Sequence, residues 1–375
     1  MTETPDFRLT WRTPLVMEWP LVLGALGLSI IGLGLIYSAT APLGESGRTF
    51  VLKQITWLSL GVVLMALVLI FDYHVLEQGA LWFYGGIIIA LVVVWTLGKV
   101  TAGSKRWIDL GLMRFQPSEF AKLAVVVVLA RFCQFESAEG ARLPELVKPV
   151  VLAALPALLV SLQPDLGTAS LIVLIAGSMV LYAGVERRIL VTAGLIAVVV
   201  IPLIIGFGDH LLLDYQKKRL MTYINPAHDP LGAGYHIVQS QIAIGSGGLW
   251  GQGFLQGMQN QLMFLPVKHT DFIFSILGEE WGFVGSSAVL FLFSLLFLRG
   301  LDVARKARDR FGALLAFGCT AMMFWHVVIN TGMVMGLVPV VGVPLSFVSY
   351  GGSSLLASYL AIAILVNVSM RRFSF

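Results

Sequence analysis

The chain is short of charge. Asp, Glu, Lys and Arg make up only 12% of its 375 residues, against 57% hydrophobic, and the mean hydropathy is +0.86. That composition excludes a water-soluble globule. No nucleic-acid partner is expected of it. Cysteine is nearly absent: Cys133 and Cys319 both lie in apolar runs without CxxC or histidine spacing, so neither a disulfide framework nor a zinc site is indicated. Four of the six histidines (His210, His228, His236, His269) fall in one polar segment, with spacing too irregular for a dedicated metal site. The glycines between Gly245 and Gly253 follow no strand and carry neither the dinucleotide fingerprint nor a GKS/T ending, which excludes a nucleotide-phosphate loop.

What is present is a series of apolar runs. Ten are long enough to be membrane helices: roughly 18–38, 51–71, 78–97, 118–134, 147–162, 168–184, 189–207, 272–298, 311–334 and 351–370. The expected fold is an all-α polytopic membrane protein, one transmembrane domain over residues 1–375. The first run has no small-residue cleavage site after it and is expected to be a retained span rather than a signal peptide. Residues 208–271, between the seventh and eighth helices, form a segment rich in Gly and Pro and too long for a simple turn. Its apolar residues, among them Ile237, Ile244, Trp250 and Phe254, suggest pieces lying on or dipping into the membrane interface.

Orientation follows from Lys and Arg. With the N-terminus inside, 14 of the 25 basic residues fall on the cytoplasmic side and 11 outside; without the four in the long segment the comparison is 14 to 7. Both termini and the 299–310 loop are therefore expected in the cytoplasm, and the 208–271 segment outside. The remaining outer cations would suit an anionic ligand such as a lipid phosphate, or bind headgroups nonspecifically.

Ionisable residues at membrane depth each need a reason. In VKHTDFIFSILGEEWG (267–282), Thr270 is a natural helix N-cap and Asp271 falls in the first turn, so Asp271 reads either as a dipole-stabilised cap or as a functional acid. At 100° per residue Glu279 lies about 80° round from Asp271 and about 12 Å deeper, with Glu280 on the opposite face. Glu279 is expected to line a cavity opening outward beneath Asp271, and Glu280 to serve structure. In RFQPSEFAKLA (114–124), Pro117 and Ser118 start a helix, and Glu119 and Lys122 are spaced for an ion pair near the outer boundary. In QPDLGT (163–168), Asp165 either caps the following helix or joins Glu279 in lining the cavity. The Pro and Gly of GLVPVVGVPLSFVSYGGSSLL (336–356) imply broken backbone at membrane depth, tolerated only where protein or a cavity surrounds it.

Taken in order, RFQPSEFAKLA, QPDLGT, DPLGAGYHIVQSQIAIGSGGLWGQG, FLPVKHTDFIFSILGEEWGFVG and VGVPLSFVSYGGSSLL resemble the SEDS family (shape, elongation, division and sporulation), with details closer to its elongation branch than to its division branch. The resemblance implies a ten-helix polymerase that transfers a glycan from undecaprenyl pyrophosphate to the GlcNAc 4-hydroxyl of lipid II. It implies Asp271 as general base. A pyrophosphate leaving group needs no general acid, and one inverting displacement needs one base. Lys122, oriented by Glu119, and Arg48, Lys105, Arg106, Arg114 and Lys268 are the expected cations for the pyrophosphate, with a divalent ion, Mg or Mn, as an additional candidate. The implied partner is a class B penicillin-binding protein. Two rival readings stand beside this: a lipid II flippase or other transporter, which would show inverted repeats and polar residues running to the inner side, and a noncatalytic scaffold, in which Asp271 is only a cap.

Overall fold

A computed structural model describes residues 17–97, 106–109, 114–134, 140–192, 194–195, 214–225, 229, 232–264 and 269–372. Its elements are α1 (Trp19–Thr40), α2 (Glu45–Ile70), α3 (His74–Leu97), β1 (Ile108–Asp109), β2 (Arg114–Phe115), α4 (Pro117–Phe132), α5 (Leu143–Leu162), α6 (Leu166–Ala183), α7 (Asp214–Ile224), α8 (Ala233–Ser246), α9 (Met258–Gln261), α10 (Ile273–Arg305), α11 (Arg310–Val334) and α12 (Gly352–Arg371). Among the described residues eight helices are long and apolar enough to cross a membrane. A ninth, α4, has only 16 residues, but 13 of them are buried. Residues 187–192 are helical, and most of the rest of the expected seventh span lies outside the described residues. Among the described residues the departures from an all-helical reading are the two-residue antiparallel ladder of β1 and β2, pairing Ile108 with Phe115 and Asp109 with Arg114, and a lone parallel bridge between Ala141 and Val185.

The layers follow from composition. The run AVVVVLA makes α4 apolar on every face, so it packs inside, against α3, α6 and α11. α11 and α12 are likewise largely buried, α12 against α2 and α11 against α10. α2 and α3 form the rim and leave Leu52, Val63 and Trp82 exposed, as a lipid-facing surface requires.

Two breaks in this helical frame shape one end of the molecule. The first is inside α10, where Gly282 has φ 65° and ψ −161° and interrupts the hydrogen-bond ladder. Residues 247–253 fill the gap. Gln252 and Gly253 donate their backbone N–H groups to Glu279 O (2.9 Å) and Glu280 O (3.0 Å), while Phe283 and Val284 donate to Gly248 O (2.9 Å) and Leu249 O (3.1 Å). This explains two glycines of that stretch: a Cβ on Gly247 or Gly251 would run into the carbonyls of Gly278 or Glu280, and Gly251 also has φ +81°.

The second break is the irregular stretch between α11 and α12. Its backbone polar groups are met by side chains from the surrounding helices. Asn330 donates to Val343 O (2.7 Å), His326 contacts Pro344 O through Nδ1 (3.1 Å), and Gln54 spans Ser349 O (3.2 Å) and Gly351 N (3.3 Å). Non-helical backbone between two long apolar helices is thereby satisfied inside protein, as the sequence requires.

Candidate functional site

The second break borders Asp271. The sequence places Asp271 in the first turn of a helix capped by Thr270, but α10 begins at Ile273; Phe272 occupies the N-cap and makes no side-chain cap. Asp271 therefore sits in the turn before the helix, and the capping reading loses its geometric basis. Asn330 donates to the Asp271 carbonyl (2.8 Å) through the same Nδ2 that holds Val343 O. A Cβ on Gly342, whose φ is +71°, would stand 3.2 Å from Asp271 Oδ2, so the carboxylate lies against the backbone of the second break. Beside it, Tyr350 N donates to His269 O (2.9 Å), and the rings of Phe50, His269 and Tyr350 cluster with centroids 4.8 to 5.6 Å apart.

Asp165 and Arg106 join this centre. Asp165 is the N-cap of α6: its Oδ1 accepts from Thr168 N (3.2 Å) and its Oδ2 from the Thr168 hydroxyl (3.0 Å). It also pairs with Arg106 at 3.8 Å. The cap expected at this position and the site-facing acid are one residue. Arg106 is fixed by its bonds to Gln163 O (3.3 Å) and Pro164 O. Burial, and then the neighbouring Asp165 charge, push the Asp271 carboxyl up to about 6, while Arg106, the Thr270 hydroxyl and Arg219 pull the other way. The result is a carboxylate more basic than an exposed one.

Lys122 is only 1% exposed; its ammonium donates to Glu119 (2.9 Å) and lies 2.7 Å from His326 Nε2. The ion pair exists as spaced, but in a sealed interior. Arg48 is at the exposed start of α2, 3.6 Å from Glu45. Arg114 holds β2 through its backbone; Lys105 and Lys268 lie outside the described residues. Glu279 is buried, with its oxygens accepting from Gln259 N (2.7 Å) and Asn260 N (3.2 Å). Glu280 accepts from Asn260 Nδ2 (3.0 Å) and from Ser38. Both glutamates thus bind residues 259–260 to α10. Among the described residues no group of three or more His, Cys, Asp or Glu is placed to hold a metal ion.

The sequence reading passed over Asn330, His326, Gln54 and Arg219. The first two were findable: a histidine and an asparagine four residues apart in an apolar span are as costly as a carboxylate and share one helix face.

Known proteins resemble the chain over nearly its whole length. The family model for FtsW, RodA and SpoVE, described as "Cell cycle protein", matches residues 18–373. The peptidoglycan glycosyltransferase MrdB of Escherichia coli K12 is 42% identical over 376 residues, covering 99% of this chain and 98% of that protein. Stage V sporulation protein E of Bacillus subtilis is 38% identical over 357 residues, covering 93% and 96%. Among solved structures, a chain described under "Structural coordination of polymerization and crosslinking by a peptidoglycan synthase complex" superposes with a TM-score of 0.80 at 28% identity, over 96% of this chain and 99% of that one. Thermus thermophilus rod shape determining protein RodA gives 0.71 at 27%, over 96% and 98%. The chain is a member of the FtsW/RodA/SpoVE family, the SEDS family of membrane proteins.

Proposed function

We propose that this protein is a peptidoglycan glycosyltransferase that polymerises lipid II into glycan strands at the outer face of the cytoplasmic membrane, in the service of cell elongation. The observation that carries the reading is the Asp271 carboxylate, raised to about 6, released from any capping role and flanked by Asp165 and Arg106. The names of the full-length relatives, peptidoglycan glycosyltransferases MrdB and RodA, support the same activity. The whole chain acts as one membrane-embedded unit, with both termini in the cytoplasm on the strength of the 14 to 7 excess of basic residues.

In the proposed reaction the acceptor 4-hydroxyl oxygen attacks C1 of the donor sugar as its bond to the pyrophosphate breaks, and Asp271 takes the hydroxyl proton. Positioned general bases contribute about 10²–10⁴ in rate, most effectively when their pKa lies near the working pH. Asp165 contributes by raising the basicity of Asp271. Arg106, held by the 163–165 turn, and Arg219 are the described cations whose charge reaches Asp271, and they are the candidates to meet charge developing on the pyrophosphate. The partner proposed is a class B penicillin-binding protein, supported by the resemblance to a chain from a polymerisation and crosslinking complex.

The test is glycan synthesis from labelled lipid II by the protein purified with its transpeptidase partner. Wild type is expected to give polymer, and Asp271→Ala and Asp271→Asn none while remaining folded. Undiminished polymer from both variants would overturn the assignment of Asp271. Absence of polymer from wild type with a competent partner would overturn the activity.

A further inference from the structure

α11 carries His326 and Asn330 four residues apart, and both reach the irregular stretch that lies against Asp271. Asn330 Nδ2 holds Val343 O at 2.7 Å and Asp271 O at 2.8 Å. One residue further along, Pro344 O takes His326 Nδ1 at 3.1 Å. On the other side of the ring, His326 Nε2 lies 2.7 Å from the Lys122 ammonium, which in turn donates to Glu119 at 2.9 Å. An ammonium can only donate, so Nε2 is the acceptor and Nδ1 carries the proton, given to Pro344 O. Every member is directional, and His326, Lys122 and Glu119 are each 3% exposed or less. Gly342, two residues before Pro344, is the backbone that abuts Asp271 Oδ2.

We propose that His326 is a positioning residue for the polymerisation reaction: with Asn330 it pins residues 342–344 against Asp271, and the Glu119–Lys122 pair acts on the site through His326 instead of touching the substrate pyrophosphate. The proposal rests on the reading of Asp271 as the base. Lys122 locks the His326 tautomer; the tautomer fixes Pro344; Pro344 and Val343 fix the wall that borders the base. Loosening the wall admits water to Asp271 and lets the carboxylate swing without removing any group that binds substrate. A misplacement of about 1 Å costs on the order of 10²-fold in rate. The signature is therefore a fall in kcat with KM for lipid II unchanged. The acid limb of the rate profile also moves to lower pH, since the remaining neighbours of the carboxylate, Asp165, Arg106, Arg219 and Thr270, are untouched and only its burial is relieved.

The experiment compares wild type, His326→Leu, His326→Gln and Asn330→Ala with the Asp271→Asn control, in lipid II polymerisation by the protein with its transpeptidase partner, over pH 5 to 8. His326→Leu and Asn330→Ala are expected to lose about tenfold or more in kcat, keep KM within about twofold and shift the acid limb downward. His326→Gln, which restores one acceptor and one donor, is expected to recover most of the rate. Should His326→Leu fail to fold, His326→Phe, which keeps an aromatic ring but neither hydrogen bond, takes its place, with the same loss of kcat expected and the same rescue by His326→Gln. A raised KM with kcat preserved would overturn the proposal in favour of direct substrate binding, and an unshifted profile with wild-type kcat in Asn330→Ala would overturn it outright. Activity in Asp271→Asn would instead overturn the reading of Asp271, which separates the two failures.

Discussion

Replacing Asp271 by Asn should stabilise the protein while removing its activity. Burial and the Asp165 charge raise the Asp271 carboxyl from its ordinary 3.8 to about 6. That displacement corresponds to ~3 kcal/mol of disfavoured ionisation at neutral pH. Asp271 keeps partial contact with solvent, which screens its interactions, so the gain expected from the neutral amide is smaller, ~1–2 kcal/mol. The sign depends on pH. An acid whose folded-state value is raised destabilises the fold fully above about 6 and not at all below 3.8. Thermal unfolding in detergent should therefore show Asp271→Asn melting about one to four degrees above wild type at pH 7.5, with the difference closing toward pH 4.5. Asn also caps a helix nearly as well as Asp, so capping cannot generate this gain. If Asp271→Asn melts below wild type at pH 7.5, or if the difference is independent of pH, the carboxylate is not held against its preference and the reasoning fails.

The same electrostatics predict the rate profile: kcat/KM should fall about tenfold per pH unit below a midpoint near 6, where Asp271 takes up its proton. Asp165→Asn, which keeps the cap on α6 but removes a charge that raises Asp271, should move that midpoint to lower pH, whereas Arg106→Gln should move it higher; parallel shifts would contradict the arrangement. Gly251→Ala places a side chain at φ +81° and drives a Cβ into Glu280 O, and should destabilise by about 2–4 kcal/mol, read as a lower melting temperature and faster protease cleavage within residues 247–264.

Much of the frame was legible because lipid imposes a length rule. Nine of the ten expected spans reappear with ends shifted by a few residues: the run predicted at 311–334 is α11, Arg310–Val334, and that at 351–370 is α12, Gly352–Arg371. Glu119 and Lys122 form the pair their spacing suggests, because i and i+3 on one turn are neighbours wherever the helix lies. Their burial was not legible. The spacing does not say whether water reaches the pair, and the contact that encloses Lys122, with His326 on α11, comes from 204 positions away. Glu279 illustrates the same limit. Helical geometry gives its angle and depth relative to Asp271, but the partners that claim its carboxylate, Gln259 N and Asn260 N, belong to a segment whose path the sequence does not specify. Conversely, the glycines of GSGGLWGQG were visible and only their reason was hidden: they fit against a broken turn centred on Gly282, a contact between two stretches some thirty residues apart.

The three carboxylates of HTDFIFSILGEE can be ranked by what occupies their oxygens. Glu279 accepts two backbone amides and stands within van der Waals reach of Gly257; Glu280 accepts from Ser38 and Asn260. Asp271 instead faces charges of both signs and a backbone wall. One chemical change therefore has opposite consequences at two positions eight residues apart. At Asp271 the amide relieves an unfavourable charge. At Glu279 it replaces a charge-assisted acceptor by a neutral one and turns an NH2 toward the Asn260 or Gln259 amide, both of which can only donate. Hydrogen bonds to a charged group contribute ~1.5–3 kcal/mol, and an opposed donor adds an unmet desolvation penalty, so Glu279→Gln should destabilise by ~2–4 kcal/mol. Measured side by side at pH 7.5, Glu279→Gln should lower the melting temperature while Asp271→Asn raises it. Shifts of the same sign would mean that the division into one acid held for chemistry and two held for structure is wrong.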